Sequence, residues 1–204
     1  NKDGVNKVLK SRVDECAPFE NVYTLALRGL HDRAMNASNN MNDRKEMLQE
    51  ALMAQRQMLV DAIGKRAEDI PQAFTPYKEV LDVYDQGLEL PDDVTIIWPD
   101  DNYGYMKRLS SPKEQKRSGR SGVYYHSSYL GKPHDHLWMN TTSPTLMYEE
   151  LRKAYDMTAD RIWLLNAGDI KSCEFAVDYF LTMAFDIDSF SFERAANYRT
   201  EWLC

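Results

Sequence analysis

Val94-Thr95-Ile96-Ile97-Trp98-Pro99-Asp100-Asp101-Asn102-Tyr103-Gly104-Tyr105 is the stretch on which the fold turns. Its first five residues are apolar or β-branched without interruption. That is the pattern of a strand buried on both faces, and such strands belong to parallel sheets covered by helices. The run then breaks into two carboxylates, an amide and a ring, bracketed by Pro99 and Gly104. In α/β folds ligands bind at the carboxyl ends of strands, where the strand fixes the roots of loops that are free to vary. Ordinary turn chemistry accounts for Asp-Asp-Asn as well, so the tip of this strand keeps two readings.

The theme recurs on both sides. Val22 to Leu27 form a short apolar strand that discharges Arg28, Gly29 and Asp32. Residues 73–77, after Pro71, give a second strand, weakened by Pro76, which delivers Tyr77, Lys78 and Glu79 into a helix running to about Gln86, with Gly87 as its cap. Residues 122–129 give the next, with His126 and Tyr129 at its far end, and residues 160–169 the last, ending in Asn166, Gly168 and Asp169. Helical periodicity fills the intervals at 4–16, 43–65, 143–157 and 171–184, and a final helical segment covers about 192–202. Residues 107–120 carry Lys107, Arg108, Lys113, Lys116, Arg117 and Arg120 against Glu114, and Ser111-Pro112 followed by Glu114 predicts a short solvated helix. Strand and helix alternate about five times, which predicts an α/β fold of parallel strands joined by right-handed crossovers.

Composition narrows the function classes. A chain of 204 residues with 43% hydrophobic and 28% charged residues can bury a full core, and one globular domain is the default. A net charge of -7 argues against a general nucleic-acid binder, because phosphate affinity rests on accumulated Lys and Arg. Cys16, Cys173 and Cys204 have neither metal-ligand nor CxxC spacing and read as plain thiols. No apolar run approaches the ~20 residues that span a bilayer, so no membrane partner is expected. The start Asn-Lys-Asp-Gly is neither an initiator Met nor a signal peptide, and the expectation is a piece of something longer.

In a parallel barrel the strand tips converge on one face, which would gather Arg28 and Asp32, Tyr77 and Glu79, Asp100 to Asn102, His126 and Tyr129, and Asn166 and Asp169. Such an inventory suits a carbohydrate: amides and phenols for hydroxyls, rings for sugar faces, two carboxyls for acid and base. No glycine-rich phosphate loop accompanies it. Each residue also has a plain structural reading. Asp32 and Glu79 could be helix-start acids, Arg28 could pair with Asp32, and His126 could donate to a carbonyl in a packed loop. His134 and His136 have strand-like spacing for a metal but no third ligand, and a surface loop is the better reading. No metal site is indicated by the residues.

Residues 77–88 (YKEVLDVYDQGL), 91–104 (PDDVTIIWPDDNYG), 118–126 (SGRSGVYYH) and 160–169 (DRIWLLNAGD) together resemble the barrel domain of glycoside hydrolase family 115. The likeness runs from about residue 21 to 185 with the segments in the family's order. It implies a partial (β/α)8 TIM-type barrel of roughly five consecutive βα units over residues 1–190, with 191–204 opening a following helical segment. The activity implied is that of an inverting xylan α-1,2-glucuronidase, which removes glucuronic acid or its 4-O-methyl ether from glucuronoxylan or xylo-oligosaccharides without metal or cofactor, in the periplasm or outside the cell.

Carried over by motif, Glu79 is the best candidate for the general acid, and Asp32 for the base or an essential supporting carboxylate, the two roles remaining interchangeable. Arg28 suits the uronate carboxylate, and Tyr77, Asn102, His126, Tyr129 and Asn166 complete the pocket. Residues 28–35 keep Arg28, Gly29, Asp32 and Met35 but lack further acids and a Pro frequent in the family, and family members are several times longer. The missing strands predict self-association through a truncated edge, a homodimeric parent, or an edge covered by helix. Two rivals remain: a non-catalytic carbohydrate-binding remnant, and a sugar or sugar-phosphate enzyme gripping phosphate through residues 107–120.

Overall fold

The computed structural model describes residues 2–29, 33–35, 40–132, 135 and 140–204. Five parallel strands follow one another in a single sheet in chain order, β1 (Tyr23–Leu25), β2 (Gln72–Phe74), β3 (Thr95–Pro99), β4 (Ser121–His126) and β5 (Trp163–Asn166). With helices between them this is a partial α/β barrel; the alternation in the sequence predicts the parallel strands, and the family resemblance implies the barrel. The chain divides into two compact units, Asn1–Ile96 and Ile97–Cys204, and the boundary falls inside β3.

In the first unit α1 (Lys2–Cys16) precedes β1, α2 (Met41–Ile63) crosses from β1 to β2, and α3 (Glu79–Asp85) follows β2. Register is set by Leu25 beside Phe74 and by Phe74 beside Ile96. The Asn40 side chain accepts from Asn42 N–H at the start of α2, and Gly64 ends it at a φ of 72° that costs glycine nothing. Leu48, Leu52 and Leu59 turn from α2 into a core with Leu25, Phe74, Val80, Val83 and Ile96. From the same helix Gln55 closes the chain just beyond β1: its amide donates to Ala26 O at 2.7 Å, and its carbonyl accepts from Ala26 N–H at 2.9 Å. A helix side chain thus satisfies backbone that a further strand would otherwise pair.

The second unit carries β4, α4 (Pro144–Asp156), β5, α5 (Glu174–Phe185) and α6 (Phe192–Leu203). All of β3 is buried, as its unbroken apolar run requires. Trp98 is fully buried, and its indole N–H finds the partner that burial demands, donating to Ser110 Oγ at 2.9 Å while that hydroxyl donates to Ser121 Oγ at 3.0 Å. The Arg108 guanidinium stands 4.4 Å from the centre of its ring. Val123 and Tyr125 of β4 pack with Met147 and Leu151 of α4, Tyr179 and Phe180 of α5, and Tyr198 of α6, so the last helix belongs to this core.

Between β3 and β4 the basic segment forms a single 3-10 turn, Glu114–Lys116, where the sequence predicts a short helix. The start signal itself is real: Ser111 N–H donates to Glu114 Oε2 at 2.7 Å, and Glu114 N–H reaches back to Ser111 Oγ at 3.4 Å. Like charges three and four apart and Gly119 keep the turn from propagating. Arg108 donates to Glu114 at 3.0 Å, and Arg120 forks onto Asp160 at 2.7 and 2.5 Å, so both cations serve the segment's own packing.

Gly122 shows why β4 and β5 lie where they do. A methyl group there would stand 2.0 Å from the Ile162 carbonyl oxygen, which accepts from Val123 N–H at 2.9 Å. Gly122→Ala must therefore push the two strands apart at their first rung. Chemical denaturation of this variant is expected to show a loss of about 1–3 kcal/mol, and an unchanged midpoint would refute the close approach.

Candidate functional site

The first unit brings together Arg28, Tyr77 and Glu79, drawn from the carboxyl ends of the adjacent strands β1 and β2. Arg28 Nε donates to Glu79 Oε1 at 3.0 Å and Nη2 to Glu79 Oε2 at 2.9 Å, two parallel bonds between a guanidinium fork and a carboxylate. The side chains are 19% and 20% exposed, which sets this pair apart from surface ion pairs worth about 0–1 kcal/mol. The Arg28 guanidinium lies 5.3 Å from the centre of the Tyr77 ring. Glu79 is also the first residue of α3, as its helix-start reading has it.

The turn that positions these groups is strained. Tyr77 O accepts from Val80 N–H at 3.1 Å. Lys78, second in that turn, has φ 52° and ψ -122°, a conformation that costs a non-glycine residue about 1–3 kcal/mol. Its Nζ is 5.0 Å from the Tyr77 ring centre. Lys78 is absent from the candidates read from sequence, because nothing in the residue order signals a positive φ. Asp32 lies outside the described residues, as do His134 and His136.

The second unit gathers the other candidates around a residue the sequence shows only as a strand-end acid. Asp100 has a fully buried side chain, and four donors converge on it. Oδ1 accepts from Asn102 N–H at 3.0 Å and lies 2.6 Å from His126 Nδ1; Oδ2 accepts from Gly104 N–H at 3.1 Å and from His126 N–H at 3.0 Å. Three of these are backbone donors that cannot reverse, and an ionised carboxylate is the form that accepts all four. With Asp100 as the acceptor the His126 ring carries a hydrogen on Nδ1, as the imidazole of a catalytic triad does beside its carboxylate. His126 is itself 1% exposed, so it acts in this structure as a buried strut between the ends of β3 and β4. Asp101 has a plainer role, shaping the turn: its side chain accepts from Tyr103 N–H at 2.9 Å and from Tyr105 N–H at 3.1 Å.

Around this hub Tyr129 meets the His126 ring edge-on at 5.7 Å and the Tyr103 ring at 6.1 Å. Asn102 adopts φ 74°, a left-handed conformation that asparagine tolerates better than most residues. Asn166, at the end of β5, donates from its side-chain amide to Tyr124 OH at 2.7 Å, and its backbone carbonyl accepts from Ser127 N–H at 2.9 Å. Tyr124 is not among the candidates that the sequence supplies, although it stands two residues before His126 and so shares its side of the strand. Among the described residues no three His, Cys, Asp or Glu side chains gather as a metal ion requires.

The match of the profile for Glycosyl hydrolase family 115 extends over residues 1–204. The chain belongs to glycosyl hydrolase family 115. Among solved structures this family 115 chain is similar to BtGH115A, described as a family GH115 4-O-methyl-α-glucuronidase with specificity for decorated arabinogalactans. The identity is 41% and the TM-score 0.93, over 98% of this chain and 27% of that one. The chain thus spans about a quarter of that relative's length. No curated protein matches the sequence.

The Asp100 hub can be tested in this family 115 chain without a substrate. In Asp100→Asn an amide replaces one oxygen, and the least costly orientation turns its NH2 toward His126 Nδ1. The ring proton is then expected to move to Nε2, read from imidazole 15N shifts, with a loss of about 2–4 kcal/mol in stability. Retention of the Nδ1–H tautomer in the variant would refute the assignment.

Proposed function

We propose that this chain carries the acid-recognising and catalytic residues of an inverting α-glucuronidase that removes glucuronic acid, or its 4-O-methyl ether, from side branches of plant polysaccharides. The observation that carries the proposal is the Arg28–Glu79 fork pair against Tyr77, at the ends of adjacent parallel strands. Arg28 supplies a planar fork that fits a uronate carboxylate. Glu79 and Asp32 supply the two carboxyl groups that inversion requires: one protonates the leaving oxygen as the bond to the sugar C1 breaks, and the other takes a proton from the water attacking the opposite face of C1. In its pair with Arg28, Glu79 accepts through both oxygens. To act as the acid it must part from the guanidinium and take up a proton, and a substrate carboxylate competing for Arg28 drives that exchange.

Tyr77, Asn102, Tyr129 and Asn166 are proposed contacts for sugar hydroxyls and ring faces. His126 is proposed to serve through the Asp100 hub, holding Tyr129 and Asn102 in place. The backbone polysaccharide is xylan by the likeness of the motifs, and decorated arabinogalactan by analogy with the structural neighbour. Secretion fits either substrate, and no helix among the described residues is long and apolar enough to cross a membrane.

The complete protein carrying this chain is expected to release (4-O-methyl)glucuronic acid from glucuronoxylan or from uronate-decorated arabinogalactan, and the faster of the two names the substrate. Glu79→Ala is expected to cut kcat by about 10²- to 10⁴-fold. Near-normal turnover by that variant would remove Glu79 from the chemistry. Uronic-acid binding without any release, in the unmutated protein, would replace hydrolysis with a binding role.

A further inference from the structure

Four residues of α4 are buried, and three of them, Met147, Leu151 and Ala154, are the apolar groups that a core-facing stripe requires. The fourth is Glu150, 6% exposed. A carboxylate taken out of water gains little stability from a partner, and an apolar side chain of similar volume serves a core as well or better. Its bonds show what it is kept for. Oε1 accepts from Lys153 Nζ at 2.6 Å, and Oε2 accepts from Met106 N–H at 2.7 Å, so the helix reaches across 44 residues of sequence to one backbone group in the loop after β3.

That loop is tied along its length. Asp100, at its start, is bonded to His126 of β4. In its middle Gly104 O accepts from Tyr125 OH at 2.9 Å. A methyl group on Gly104 would stand 2.7 Å from that phenol oxygen and 2.9 Å from Thr142 Cγ2, so the backbone rests directly on the two side chains. Burial first, and then the charges of Asp100 and Glu150, raise the pKa of Tyr125, which keeps its phenol protonated and a donor. Met106 then closes the loop on Glu150. Between these ties Asn102 and Tyr103 are half-buried, and the Tyr103 ring meets that of Tyr129 at 6.1 Å.

We propose that Glu150 and Tyr125 are positioning residues for sugar recognition, fixing loop 100–106 from its helix side so that Asn102 and Tyr129 keep one arrangement toward the substrate. The inference deepens the reading of Asn102 and Tyr129 as sugar contacts given above and rests on it. Both residues are buried, so neither meets the sugar. Their effect passes through the loop backbone, and a misplacement of about 1 Å carried that way costs on the order of 10²-fold in rate.

The test is release of uronic acid from a methylglucuronosyl oligosaccharide by the complete protein carrying this chain, with thermal unfolding measured for every variant. Glu150→Met keeps the length of the side chain and removes the acceptor. It is expected to lower kcat/KM about 10- to 100-fold at temperatures where the variant is folded, and to speed hydrogen exchange in the peptide covering residues 100–106. Glu150→Gln keeps an oxygen for Met106 N–H and restores most of the activity, although the charge pair with Lys153 is gone. Tyr125→Phe retains the ring and loses the bond to Gly104; a fall of about 10-fold is expected, and this variant decides the matter if Glu150→Met does not fold. In an Asn102→Ala background each substitution is expected to lower kcat/KM by less than it does alone, because part of what it positions is gone.

Normal kcat/KM in folded Glu150→Met or in Tyr125→Phe, Glu150→Gln no better than Glu150→Met, or losses that add in full to that of Asn102→Ala overturn the inference and leave the hydrolase reading standing. Unchanged kcat/KM in Asn102→Ala removes Asn102 from the pocket and overturns the inference with it. No release of uronic acid by the unmutated protein overturns the hydrolase reading and the inference together.

Discussion

The five strands described in this chain run parallel, and a parallel pair cannot be joined by a tight turn. Each connection must travel the length of the sheet and come back. That constraint places α2 between β1 and β2 and α4 between β4 and β5, and it demands strands that are apolar on both sides. It also sorts the polar residues. Along β3 nothing charged is tolerated until Pro99, and immediately beyond it the chain presents Asp100, Asp101 and Asn102. The one crossover without an α-helix, from β3 to β4, meets the same demand with side chains: Arg108 covers the face of Trp98, and Ser110 and Ser121 satisfy its indole.

Charges collected at strand ends must be neutralised where they lie, and the two units do so differently. In the first, a guanidinium and a carboxylate share two bonds at about one-fifth exposure, a pair open enough for a competing acid to enter. In the second, a carboxylate with no exposure is held by four donors, a pattern that rigidifies the loop after β3 and leaves nothing to exchange. The contrast separates a group fit for chemistry from one fit for support. Burial alone would have ranked Asp100 first; the geometry of its donors assigns it to the frame.

The solved relative extends the same logic. At 41% identity and a TM-score of 0.93, the strand order and the strand ends are common ground, while nearly three-quarters of that protein lies beyond the matched region. Family membership therefore covers all five strands of this chain.

The sequence by itself determined the elements. Apolar runs and turn residues marked the strands, helical segments were legible between them, and Gly87 and the Ser111–Glu114 box marked an end and a start, because these depend on periodicity and on glycine's freedom within a few residues. The motif order was legible too, and with it the family. Only the tertiary structure decided the partners. Arg28 and Glu79 are 51 residues apart and Asp100 and His126 are 26 apart, and no local pattern says which carboxylate a guanidinium or an imidazole will meet. Nor does residue order show that Lys78 takes a positive φ, since a lysine carries no local signal for that conformation. Propensity is written in neighbours along the chain, whereas charge pairing and strain arise only when distant strand ends are brought within ångströms of each other.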